Sequence, residues 1–93
     1  MFKRIHFFVE GKVQGVGFRY QTQRKALQVG LVGWVRNVED GRVEVLVEGS
    51  SQATADFLEW CKKGPPSAAV TGLDIKKSEE ILEASEKSFE IRP

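Results

Sequence analysis

The chain has 93 residues, 41% of them hydrophobic and 29% charged, with a net charge of +1; this is the balance of one folded globular domain, residues 1–93, and not of a disordered segment. One cysteine, Cys61, excludes an internal disulfide, and one histidine, His6, argues against a protein-only zinc site. Eight basic and five acidic residues give +3 over residues 1–48, while six and eight give −2 over residues 49–93, a bias too mild for a non-specific nucleic-acid binder but suited to a small anionic ligand.

In chain order, Ile5, Phe7 and Val9 alternate with His6, Phe8 and Glu10, the period of a strand with one face toward a core. Phe18 to Val29 reads as a helix, since Phe18, Thr22, Ala26 and Val29 recur every three or four residues, and Gly30 follows as a helix stop. Leu31 to Val38 is a second strand, Glu39-Asp40-Gly41-Arg42 a hairpin turn, and Val43, Val45 and Val47 mark a third strand. Ser50 or Ser51 caps a second helix that runs to about Lys63 and stops at Gly64-Pro65-Pro66. Val70 to Lys76 is a fourth strand, Lys77 to Lys87 a polar exposed connection, and Ser88 to Arg92 a short last strand. The order β-α-β-β-α-β with a terminal strand predicts an α+β ferredoxin-like sandwich: an antiparallel sheet with both helices on one face.

The stretch Gly11-Lys12-Val13-Gln14-Gly15-Val16-Gly17-Phe18-Arg19 joins the first strand to the first helix and holds three glycines in seven residues. Glycine permits positive φ and inward-turned N–H groups, and the start of a helix adds further free donors and positive dipole character. Arg19 adds a planar fork of donors that matches phosphate oxygens. The stretch is neither a Walker A loop nor a dinucleotide fingerprint. By itself it reads equally as an anion-holding loop and as a glycine-rich turn beside a solvated arginine. Asn37, by itself, reads as a residue at a strand end before a turn.

The same nine residues resemble the first acylphosphatase signature. Gly33-Trp34-Val35-Arg36-Asn37, followed by Gly41, Val43 and Gly49, resembles the second. Phe57, Trp60, Gly64-Pro65-Pro66, Ala69-Val70 and Phe89-Glu90-Ile91-Arg92 extend the resemblance over essentially the whole chain. It implies hydrolysis of the carboxyl–phosphate bond of acyl phosphates. It also implies that Arg19, with the N–H groups of Gly15, Val16, Gly17, Phe18 and Arg19, binds the phosphoryl group, and that Asn37 positions the attacking water. Val38 stands where some relatives of the family carry a hydroxyl residue.

On this reading no metal and no cofactor take part, because carboxylate leaves readily and a loose phosphoryl transition state asks mainly for charge and orientation. The substrate is a small acyl phosphate, and inorganic phosphate is product and inhibitor. No run reaches membrane-spanning length and Met1-Phe2-Lys3-Arg4 lacks a signal-peptide core, so a monomer in the cytoplasm, acting alone and without membrane or nucleic-acid partners, is expected. Two other readings compete: a non-catalytic module binding a phosphorylated metabolite in the same loop, and an RNA-binding module of the same strand order. The second requires aromatics on central strands, where Val43 to Val47 offers none. Cys61 reads as core, Trp34 and Trp60 as packing, His6 as a strand residue, and Lys12, Arg24, Arg36 and Arg42 as solvated cations.

Overall fold

A computed structural model describes all 93 residues. Its elements are β1 (Phe2–Lys12), α1 (Phe18–Gln28), β2 (Val32–Asn37), β3 (Val43–Ser50), α2 (Ser51–Lys63), β4 (Ala69–Ile81) and β5 (Phe89–Arg92). The strands form one sheet in the order β4-β1-β3-β2-β5. The four longer strands pair antiparallel, and β5 adds to the outer edge of β2 in parallel, with Gly33 opposite Phe89. The sheet is therefore mixed, with the ferredoxin-like arrangement in its first four strands.

Alternation decides which side of the sheet is covered. Ile5, Phe7, Val9, Val35, Val43, Val45 and Val47 are buried, on the face that receives Phe18 and Ala26 of α1 and Phe57 and Cys61 of α2. Phe57 is fully buried and lies edge-on to Phe7, with ring centroids 6.5 Å apart; burial of such a ring stabilises by roughly 2–3 kcal/mol. α2 starts at Ser50, whose hydroxyl accepts from the Ala53 N–H at 3.1 Å, and ends at Gly64.

The last third of the chain differs from the sequence expectation. β4 continues through Lys77 to Ile81, where exposed connection was expected, because residues Lys77–Ile81 pair along the first half of β1. Beyond it, Ser85 and Glu86 fold against the uncovered face and donate their N–H groups to Glu48 at 2.9 and 2.8 Å. A polar run reads as solvated when its partner is distant in sequence; here the partner is a buried carboxylate 37 and 38 residues away.

Candidate active site

β1 delivers the chain to the loop; its pairing with β4 shifts register at Glu10/Gly11 and continues to Lys12, opposite Ala69. Val13 then buries its side chain, and Gly15 and Gly17 adopt φ of 72° and 76°. That left-handed backbone strains residues bearing a Cβ, which explains the glycines. Gly17 is also the N-terminal boundary of α1, and no side chain caps it. Phe18 anchors the helix start by packing its ring 6.1 Å from that of Trp60.

The result is a run of unused donors. The first backbone hydrogen bond of α1 goes from the Gln21 N–H to the Gly17 carbonyl at 3.1 Å, and the N–H groups of residues 15–20 donate to no protein acceptor. Five of these residues, Gly15, Gly17, Phe18, Arg19 and Tyr20, line a hollow of about 200 Å³ together with Val13 and Ile91. The first N–H groups of any helix lack an intrahelical partner, and a group of them at an open helix start favours an anion.

Arg19 stands in the same hollow and is distinctive among the six arginines of the chain. Arg4 is held by Glu48 and Glu79, Arg36 by Glu44, Arg42 by Asp40, and Arg92 by Glu86 and Glu90, while Arg24 donates to the Tyr20 hydroxyl. Arg36 and Arg92 also cover the Trp34 ring and Arg42 covers Phe8. The Arg19 guanidinium makes no hydrogen bond, ion pair or ring contact. Its fork of donors is free to take an oxyanion.

Asn37 is the last residue of β2 and pairs with Val43 across the turn. Its side-chain oxygen is buried and has no protein partner. It does not line the hollow, and neither does the side chain of Val16. The hollow thus gathers Gly15, Gly17, Phe18 and Arg19, and Asn37 stands apart at the strand end.

Two residues that sequence reasoning missed tie these parts together. The Gln14 side-chain amide donates to the carbonyl oxygens of Val38 at 2.7 Å and Arg42 at 2.9 Å, joining the loop to the turn that follows Asn37. The Ser67 hydroxyl donates to the Val16 carbonyl at 2.8 Å. In a trans peptide the C=O and the following N–H point opposite ways, so Ser67 fixes the direction of the Gly17 N–H. Gln14 lies inside the first signature and could have been weighed. Ser67 is 51 residues from Val16 and carries no local signal.

The other polar cluster lies on the uncovered sheet face. Burial works against the charge of Glu44, but hydrogen bonds from His6 and Arg36 at 2.6 Å outweigh it and hold the carboxyl below its ordinary value. Burial likewise opposes the charge of Glu48, and the N–H groups of Glu86 and Ser85, the Ser85 hydroxyl and Arg4 overcome it. Cys61 is buried among apolar groups, which pushes its thiol upward and leaves it un-ionised. No three His, Cys, Asp or Glu side chains lie together as a metal-binding group.

An antiparallel ferredoxin-like core with an uncapped, glycine-rich helix start and a free arginine defines a small anion-handling α+β protein. The acylphosphatase family pattern matches residues 5–91, and the chain belongs to the acylphosphatase family. An acylphosphatase of Methylococcus capsulatus is 52% identical over 75 residues, covering 81% of this chain and 82% of the relative. The crystal structure of an acylphosphatase from Bacillus subtilis superposes with a TM-score of 0.89 at 41% identity, covering 100% of both chains. An acylphosphatase structure from Coxiella burnetii gives 0.85 at 38% identity, covering 98% of this chain and 93% of that one. The activity of the family, hydrolysis of acyl phosphates, is the activity of this chain. No helix is long and apolar enough to cross a membrane.

Proposed function

We propose that Arg19 and the N–H groups of Gly15, Val16, Gly17, Phe18 and Arg19 hold the phosphoryl group while Asn37 orients the attacking water. The observation that carries this reading is that Arg19, alone among the arginines, is unpaired, and that it shares a hollow with N–H donors that have no protein acceptor. The equatorial phosphoryl oxygens then rest on donors that are already in place, so little reorganisation is left for the transition state. The water oxygen bonds to phosphorus as the bond from phosphorus to the acyl oxygen breaks. The electron pair leaves with the carboxylate, and both water protons stay on the phosphate, which departs as dihydrogen phosphate.

Asn37 suits the other role. Its buried, unpartnered side-chain oxygen is an acceptor that takes a water proton as a hydrogen bond and, being an amide, does not remove it. A loose transition state requires no early deprotonation. The orientation of one water is then the whole contribution of Asn37.

The wider reading follows from the same features. Residues 1–93 act as a single domain and a monomer on a small acyl phosphate, with no metal or cofactor and no membrane or nucleic-acid partner, in the cytoplasm. A lone buried cysteine supports a reducing compartment. On the open sheet face His6 and Trp34 add to Phe8, yet the arginines beside those rings are already committed to Glu44, Asp40 and Glu86, which argues against stacked RNA bases there.

The test is phosphate release from an aryl acyl phosphate by the parent and by Asn37→Ala, with inorganic phosphate as competitive inhibitor. Asn37→Ala lowers kcat by about 10²-fold or more, as expected for a lost orienting contact, and leaves phosphate inhibition unchanged. Weakening of phosphate inhibition in step with kcat would make Asn37 a ligand-holding residue instead.

A further inference from the structure

Gln14 sits between buried Val13 and Gly15, yet its side chain leaves the loop altogether. Its amide nitrogen spends both protons on two carbonyls, those of Val38 and Arg42, at 2.7 and 2.9 Å. These carbonyls form the neck of the turn between β2 and β3. The Val38 N–H donates to the Arg42 carbonyl at 2.9 Å, and the Gly41 N–H donates to the Val38 carbonyl at 3.0 Å. Each carbonyl therefore accepts once from the turn and once from Gln14.

Nothing else of the backbone makes this connection. No backbone hydrogen bond joins residues 13–17 to residues 38–42. Each side is otherwise secured on its own terms. β2 is held by β3 and β5, and the loop is held by the burial of Val13 and Phe18 and by Ser67. β3 relates the two strands, with Val9 and Asn37 both opposite Val43, and beyond the end of β1 the hydrogen-bonded link between the loop and the turn after Asn37 is the Gln14 amide. A planar amide that donates twice to two carbonyls of a closed turn restrains both distance and tilt.

We propose that Gln14 is a positioning residue for the hydrolysis, a bracket that sets Asn37 and its water in line with the phosphoryl group held beside Arg19. This inference rests on the roles assigned to Arg19 and Asn37 above. In-line attack is sensitive to errors of about 1 Å, and the bracket spans the two halves of the reaction centre without touching either reactant. Loss of the bracket leaves both halves formed but no longer in register.

The experiment is a double-mutant cycle on Gln14 and Asn37, read by kcat, KM and phosphate inhibition with an aryl acyl phosphate. Gln14→Leu keeps the bulk of the side chain and removes both donors. Gln14→Ala serves as a second variant, and folding of every protein is checked by circular dichroism and Tm. Both single variants lower kcat by about 10-fold to 10²-fold, the cost of a misplaced reacting group, and hold phosphate inhibition within about twofold of the parent, inside the usual scatter of independent sites. The Gln14→Leu/Asn37→Ala double variant is no slower than Asn37→Ala alone, since Gln14 acts through Asn37. Parental kcat in both folded single variants overturns the proposal, as do multiplicative losses in the double variant. Weaker phosphate inhibition with kcat unchanged also overturns it. An active Asn37→Ala protein removes the reading beneath the proposal, an outcome distinct from an inactive Asn37→Ala beside fully active Gln14 variants.

Discussion

The Gly15–Arg19 loop and the uncovered face of the sheet both carry arginine and treat it in opposite ways. On the sheet face Arg4, Arg36, Arg42 and Arg92 are each met by a carboxylate. At the loop Arg19 meets none, and the neighbouring N–H groups meet no carbonyl. The sheet face has satisfied its polar groups internally, as a surface built for stability does. The loop keeps its donors free of protein partners, as the open start of a helix does. Counting cations along the chain does not separate the two regions; pairing does.

The sharpest break of this comparison is Arg19→Lys, which retains the charge and loses the planar fork. Loss of one preorganised donor to a developing oxyanion costs about 10²- to 10³-fold in kcat, and phosphate inhibition weakens alongside. Near-parental kcat and inhibition in this variant would remove the arginine from the role of phosphate clamp.

The same chemistry applied to the other region gives the complementary result. Arg4→Met leaves kcat per folded molecule unchanged and takes a partner from the buried Glu48 carboxylate. An under-satisfied buried acceptor costs about 1–3 kcal/mol, read as a Tm lower by about 4 °C or more for a domain of this size. Loss of turnover without loss of Tm would put the sheet face into the reaction.

Acid separates the regions as well. Glu44 and Glu48 both lie below their ordinary values in the folded chain. Groups of that kind contribute stability that is present above the unfolded carboxylate value, about 4.3, and is lost as pH falls through the folded value. Tm therefore declines steadily below about pH 5, and Glu48→Gln flattens the decline. An unchanged slope in Glu48→Gln would mean that other carboxylates carry the acid response.

Ser67→Ala is a gentler probe of the loop. It removes one hydrogen bond to the Val16 carbonyl and lets that peptide rotate. A net loss near 1 kcal/mol corresponds to roughly fivefold weaker phosphate inhibition, with kcat changed less. The smallest expected effect is none: turnover persists at full rate in excess chelator. Loss of activity restored by magnesium would require a metal in the transition state and overturn the cradle as its charge source.

Local periodicity was enough for the elements themselves. Alternation at Ile5, Phe7 and Val9, the spacing of Phe18, Thr22 and Ala26, and the stop at Gly64-Pro65-Pro66 are properties of short windows, and the elements lie where those windows place them. The two signature stretches likewise carry the family in local order, with Arg19 and Asn37 named by position. Long-range partners decided the rest. Residues Lys77–Ile81 became strand because β1 offered an edge to pair with, and Ser85 and Glu86 turned inward because Glu48 is buried beneath them. The parallel seat of β5 beside β2, the clasp of Gln14 on the β2–β3 turn and the hydroxyl of Ser67 on Val16 all join residues far apart in the chain. A sequence displays which donors and charges a chain owns; which of them are spent is determined only when folding brings distant acceptors within about 3 Å, and that is why Arg19 reads like any other arginine until the fold leaves it unpaired.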